Sequence, residues 1–177
     1  PTVTREVQLM LGTIEDTGDT EETTPTFGAS DIMHLSRVQL LAAYACTECG
    51  RCTDECPANQ TGKLLSPRKI MMDTRRRAQE VSANILQNKG TFVPDQKALL
   101  GDYITPEELW ACTTCAACVE ACPMEISPLS IITEMRRYIV MEQSAAPASL
   151  NKMMTQMENT SSPWGYNPAE RETVLNE

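Results

Sequence analysis

The sequence predicts an all-α protein, and three observations carry that prediction. A cysteine-rich run, "CTECGRCTDECP" at residues 46–57, recurs with identical cysteine spacing as "CTTCAACVEACP" at 112–123. The segments following each run carry apolar residues at helical rather than alternating spacing. Aromatic residues make up only 5% of the 177 positions, so a close-packed core needs something besides side chains to fill volume between the helices.

Taken in order, the chain opens on an acidic, threonine-rich stretch. From residue 6 to 36 there is no Lys or Arg, while Glu15, Asp16, Asp19, Glu21, Glu22 and Asp31 accumulate. One sign of charge with few apolar residues reads as a flexible linker over residues 1–29. Ser36 with Gln39 forms a capping box that starts a helix through "LLAAYAC". After the first cysteine run, Ser66-Pro67 opens a long helix whose apolar stripe is Ile70, Met71, Thr74, Ala78, Val81, Ile85 and Leu86. Pro67 suits the first helical position, and Gly90 suits the end.

Thr105-Pro106 with Glu108 repeats the capping box ahead of "ELWAC". Ser127-Pro128 then opens a helix with Ile131, Ile132, Met135, Tyr138 and Ile139 on one face. Both long helices carry an Arg-Arg pair, Arg75-Arg76 and Arg136-Arg137. The repeated unit is helix, cysteine loop, proline turn, helix, and two such units make one domain over residues 30–143. Residues 144–177 read as a C-terminal helix and docking tail. There Leu150, Met153, Met154 and Met157 share a helical face, and Trp164 and Tyr166 are expected to cover the core.

The chemistry follows from the cysteines. A formal charge of −9 argues against nucleic acid, whose phosphates demand a basic footprint. No apolar run is long enough to span a bilayer, and "PTVTREVQLML" has no export signal. Disulfide frameworks belong to small secreted domains of fewer than about 80 residues. Zinc sites commonly pair two short C-x-x-C knuckles or add histidine, whereas the only histidine, His34, stands apart.

What remains is C-x2-C-x2-C-x3-C-P, twice: Cys46, Cys49, Cys52 and Cys56 before Pro57, then Cys112, Cys115, Cys118 and Cys122 before Pro123. This is the run of bacterial two-cluster ferredoxins, whose fourth cysteine ligates the other cluster. Three thiolates spaced by two residues let a short loop wrap one cubane with backbone N–H groups turned toward its sulfides. Gly50 allows a positive φ in the first loop, while Ala116 and Ala117 keep the second loop small. Two 4Fe-4S clusters are expected. Cys46, Cys49, Cys52 and Cys122 hold the first, and Cys112, Cys115, Cys118 and Cys56 the second.

A βαβ ferredoxin has no room for the 55 residues between Cys56 and Cys112. The segments "YACTECGRCTDECPANQTGKLLSPRKIMMDTR" and "ITPEELWACTTCAACVEACPMEISPLSII" instead resemble the α-helical ferredoxin domain of the heterodisulfide reductase C-subunit type. More closely, they resemble the cluster domains of membrane-anchored bacterial iron–sulfur oxidoreductases. The resemblance covers about residues 25–168. It implies a soluble oxidoreductase subunit as one partner, either a Cys-Cys-Gly-domain or a flavin protein. It implies a membrane haem-b or quinone module as the other, on the same chain or beside it. It also implies that Pro1 is an internal cut and that the domain lies at the cytoplasmic face of the membrane. Related dicluster domains of fumarate and succinate oxidoreductases often carry one cluster of another type, but here all eight ligand positions are cysteine.

There is no G-x-G-x-x-G for a dinucleotide, no cysteine after Cys122, and no histidine–carboxylate pair for acid–base work. An electron-transfer subunit without catalytic residues of its own is expected, relaying single electrons between the two partners. The alternatives are a regulatory or structural iron–sulfur protein, or the iron–sulfur subunit of a fumarate/succinate-type oxidoreductase. For the basic stretch Lys63, Arg68, Lys69, Arg75, Arg76 and Arg77, three readings stay open: a solvated helix face, compensation of anionic clusters, and docking of an acidic partner. Tyr44 and Trp110, each two residues before the first cysteine of a run, are expected to shield a cluster from water. His34 is assigned no chemistry.

Overall fold

Every regular element among the described residues is a helix, as expected. The computed structural model describes residues 26–166, together with Leu11. The acidic stretch read as a linker therefore lies, up to residue 25 and apart from Leu11, outside the described residues. The chain divides into two units, Pro1–Glu142 and Gln143–Glu177.

The first unit contains α1 (Arg37–Ala45), α2 (Arg51–Asp54), α3 (Pro57–Gln60), α4 (Pro67–Gln87), α5 (Pro106–Ala111), α6 (Ala117–Glu120) and α7 (Pro128–Met141). A 3-10 turn at Ile32–His34 and an irregular turn at Leu99–Tyr103 complete it. The second unit contains α8 (Ala148–Thr160), closed by Ser161 in the left-handed conformation (φ 52°).

Local sequence explains the helix starts. Ser36 Oγ accepts the Gln39 N–H while Gln39 Oε1 accepts the Ser36 N–H at 2.9 Å, and Thr105 with Glu108 does the same at 2.9 Å. These are the two capping boxes read in the sequence. Helices α4 and α7 begin at Ser66-Pro67 and Ser127-Pro128, each with proline at a position that needs no donor.

Packing repeats the duplication. Helix α1 lies on α4 as α5 lies on α7, and α2 meets α4 as α6 meets α7. Two further pairings, α4 with α7 and α2 with α6, join the halves. The shared core is aliphatic: Ile70, Met71 and Val81 from α4, Leu109 from α5, and Ile131, Ile132, Met135 and Ile139 from α7 are all buried.

Two expectations need correction. Leu86 is 79% exposed; it follows Val81 by five residues, which at 3.6 residues per turn puts it about 140° round the helix. Trp164 and Tyr166, expected to cover the core, are both exposed. The basic stretch, whose role the sequence leaves open, divides: Lys63, Arg68 and Arg76 are exposed, while the others are partly or wholly buried. Arg77 is fully buried, with its guanidinium donating to Asp31 (2.7 Å), to Asp95 and to the Lys97 carbonyl (2.7 Å). Lys69 Nζ donates to the Tyr103 carbonyl at 2.9 Å and to Glu108 at 2.7 Å, tying α4 to the start of α5. Arg76 is the member of the triple that faces solvent.

Candidate iron–sulfur site

The two cysteine loops are built alike. Cys46 and Cys112 cap the C-termini of α1 and α5. Next come two left-handed residues in each loop, Glu48 (φ 59°) and Gly50 (φ 89°) in the first, Thr114 (φ 57°) and Ala116 (φ 62°) in the second. Such alternation turns successive backbone N–H groups toward one concave side, where they favour an anionic group. Helices α2 and α6 then carry Cys52 and Cys118, and Cys56 stands at the N-cap of α3.

The first arginine of each Arg-Arg pair does the same work in both halves. Arg75 Nη1 donates to the Cys46 carbonyl at 3.2 Å and pairs with Glu48. Arg136 Nη2 donates to the Cys112 carbonyl at 2.5 Å, Nε donates to the Leu109 carbonyl at 3.0 Å, and the guanidinium lies over the Trp110 ring, 5.0 Å from its centroid. The sequence flags the matching pairs; their role emerges only when α4 and α7 are laid against the loops.

The eight cysteines are all free, and their thiols line two cavities. The first is lined by Cys46, Cys49, Cys52, Cys118 and Cys122, with Met71, Met124 and Ile126 among its apolar residues and Glu48 and Arg68 also lining it. The second is lined by Cys56, Cys112, Cys115 and Cys118, walled by Leu65, Leu129 and Ile132. Tyr44 and Trp110 line neither cavity, which corrects the expected shielding: aliphatic side chains and methionines exclude the water instead. His34 contacts Ser30 Oγ at 3.2 Å and stands outside both cavities.

Electrostatics match a soft group that joins cationic metal to anionic sulfide. Burial pushes the Cys46 and Cys52 thiols up, with neighbouring cysteines adding to the rise. Burial, reinforced by Cys112, Cys52, Cys56 and Cys115, pushes Cys118 up to about 11. Cys115, held by the Ala117 N–H and by Thr113, is lowered. Crowded thiols of this kind ionise together only around positive charge, and thiolates select soft metals and iron–sulfur clusters. Among the described residues no three His, Cys, Asp or Glu side chains close on a single ion. The thiols instead surround voids, and the residues fit a polynuclear group.

An all-helical frame that closes two thiol-lined cavities between duplicated halves defines an α-helical iron–sulfur protein. Residues 45–126 match the family of the 4Fe-4S dicluster domain; the chain carries such a domain, and its eight cysteines fit two 4Fe-4S clusters. It is similar to the probable iron-sulfur-binding oxidoreductase FadF of Bacillus subtilis, at 35% identity over 94% of this chain and 28% of that protein. It is similar to the EtfAB:quinone oxidoreductase of Syntrophomonas wolfei, at 34% identity over 88% of this chain and 24% of that protein. The C subunit of the Ferredoxin/F(420)H(2)-dependent CoB-CoM heterodisulfide reductase of Methanosarcina acetivorans is 32% identical over 67% of this chain and 60% of its own length. The chain thus spans about a quarter of the length of the two bacterial relatives. The resemblance read in the sequence, to the heterodisulfide reductase C-subunit type, holds. Among the described residues no helix is long and apolar enough to cross a membrane.

Proposed function

We propose that this domain relays single electrons through two clusters that exchange their fourth ligands. Cys46, Cys49, Cys52 and Cys122 hold one, and Cys112, Cys115, Cys118 and Cys56 the other. The observation that carries this reading is the partition of thiols between the cavities: Cys122 lines the first with the residues of the 46–52 loop, and Cys56 lines the second with those of the 112–118 loop. Cys118 lines both, so the two sites share a wall. When bound, each cluster supplies a reversible one-electron couple.

The chain's own part is positional. Arg75 and Arg136 fix the entry of each loop, while α4 and α7 supply the apolar walls that keep water out. Cys49 and Cys115 are the exposed thiols, at the edges a redox partner would approach. The partners are a soluble oxidoreductase protein, of flavin or Cys-Cys-Gly type, and a membrane redox module such as a quinone site. Support comes from the relatives' names, which pair EtfAB with quinone and place a related iron–sulfur protein within a heterodisulfide reductase. Quinones dissolve in the bilayer, so the domain works at a membrane surface, read here as the cytoplasmic face. Residues 1–29 act as the tether and 144–177 as the docking tail.

The ligand exchange is tested by single serine variants, examined by electron paramagnetic resonance after anaerobic reconstitution and dithionite reduction. Cys122→Ser and Cys49→Ser are expected to remove or alter the same cluster signal, and Cys56→Ser and Cys115→Ser the other. Cys122→Ser acting on the signal that Cys115→Ser removes would overturn the assignment.

A further inference from the structure

Among the equivalent positions that line a cavity in both halves, one pair sets a charged side chain against an aliphatic one. Arg68 follows Ser66-Pro67 at the start of α4 and lines the first cavity. Leu129 follows Ser127-Pro128 at the start of α7 and lines the second. The Arg68 backbone is tied to the first loop, its N–H donating to Thr53 Oγ1 at 3.3 Å. Its Nη1 lies 3.8 Å from where a side chain on Gly50 would begin. No described carboxylate pairs with this guanidinium.

Of the other cations near the loops, Arg51, directly after Gly50, lines neither cavity. Arg75 and Arg136 both hold the carbonyl of a first cysteine, and neither lines a cavity. Glu48, whose counterpart in the second loop is Thr114, is bound by Arg75. Among the described residues Arg68 is therefore the one cation that lines either cavity, and it is uncompensated.

We propose that Arg68 sets the potential of the group held in the first cavity relative to that in the second, drawing the electron of the pair toward the 46–52 loop. Reduction adds one negative charge to the site that accepts it. A fixed cation at an apolar-walled cavity stabilises that added charge, and an aliphatic side chain such as Leu129 does not. Because Arg68 is exposed, its influence weakens as salt is raised. The proposal rests on the proposed function only for placing one cluster in each cavity.

The test is a potentiometric titration, followed by electron paramagnetic resonance, of the anaerobically reconstituted full chain. Arg68→Leu is expected to lower the midpoint of one couple by about 59 mV, a tenfold change in a one-electron equilibrium, and to leave the other nearly in place. Leu129→Arg is expected to raise the other couple, while Arg68→Lys keeps values near those of the unaltered protein. No prior assignment of signals is needed, because the two exchanges must move different couples. Both moving the same couple, or neither moving any in protein that carries two clusters, overturns the proposal. If Arg68→Leu sheds iron, Leu129→Arg and Arg68→Lys decide it: an unmoved second couple, or a lysine variant shifted downward, is fatal. Unaltered protein that binds fewer than two clusters sinks the four-cysteine reading as well, and the iron count separates that failure from an error about Arg68.

Discussion

Gly28 stands where the fold leaves no room for a side chain. Its φ is +79°, and a Cβ there would stand 2.4 Å from the Glu134 carbonyl oxygen and 2.5 Å from the Tyr138 nitrogen. Both are backbone atoms of α7, which cannot swing aside. The neighbouring Ala29 N–H donates to that same Glu134 carbonyl at 3.0 Å, and the Phe27 N–H donates to Glu142 at 2.6 Å. Gly28→Ala is therefore expected to lever the segment off α7, at about 1–3 kcal/mol for overpacking plus about 1–2 kcal/mol for the left-handed backbone. Gly62, at φ +80° with nothing near its missing side chain, carries only the second cost. Thermal unfolding of the two alanine variants, both loaded with iron, compares them directly. Gly28→Ala melting no lower than Gly62→Ala would refute the close-approach account. Little of this is legible in "TFGAS", because the atoms that exclude a side chain come from a helix over a hundred positions away. The cysteine loops show the same limit. Of their four left-handed residues only Gly50 announces itself, since Glu48, Thr114 and Ala116 are types that take that conformation only when the loop imposes it.

Helix α4 shows what periodicity can and cannot read. Its apolar stripe located the helix and its buried face, yet Arg77 lies on that face and is buried completely. A count of apolar residues passes over a buried arginine until its partners are known, and these stand 46 and 18 positions away in the chain. Arg77 binds Asp31 and Asp95 and so fastens the segments on either side of α4 to its middle. Arg77→Met would leave the two carboxylates without their cation, a loss of about 3–5 kcal/mol. Arg76→Ala, on the solvent side, should change stability by less than about 0.5 kcal/mol. Acid dependence provides a second reading of the same link. Arg77 beside Asp95 holds its carboxyl at about 2, below the ordinary 3.8. A depressed carboxyl pKa stabilises the fold above the unfolded-state value and loses that contribution as pH falls from about 4 toward 2. The stability difference between the unaltered protein and Asp95→Asn, measured by denaturant titration, should accordingly be flat between pH 7 and 5. A difference already fading in that interval would sink the ion-pair explanation.

For the molecule as a whole, the duplication was the most legible feature, because cysteine spacing, capping boxes and Ser-Pro helix starts repeat together in the chain. What the repeat does not disclose is which residues wall each cavity, since that depends on how α4 and α7 cross. Trp110 illustrates this: its place before Cys112 suggests a shield, but Arg136 claims its ring face and leaves Leu129 and Ile132 at the cavity. The core that results contains no aromatic side chain among its described buried residues, and both cavities lie within the same unit as that core. Iron held there is expected to contribute to folding itself, as structural zinc does in zinc-finger peptides, where binding supplies about 10–16 kcal/mol. That figure rivals the whole stability of an ordinary domain, about 5–15 kcal/mol. Removing iron with a chelator under anaerobic conditions is thus expected to leave a chain with helical content but without cooperative packing. In far-ultraviolet circular dichroism it should melt over a broad range, and it should bind a hydrophobic dye that the loaded protein excludes. Metal-free chain that still unfolds in a sharp transition within a few degrees of the loaded form would show that the aliphatic core suffices alone.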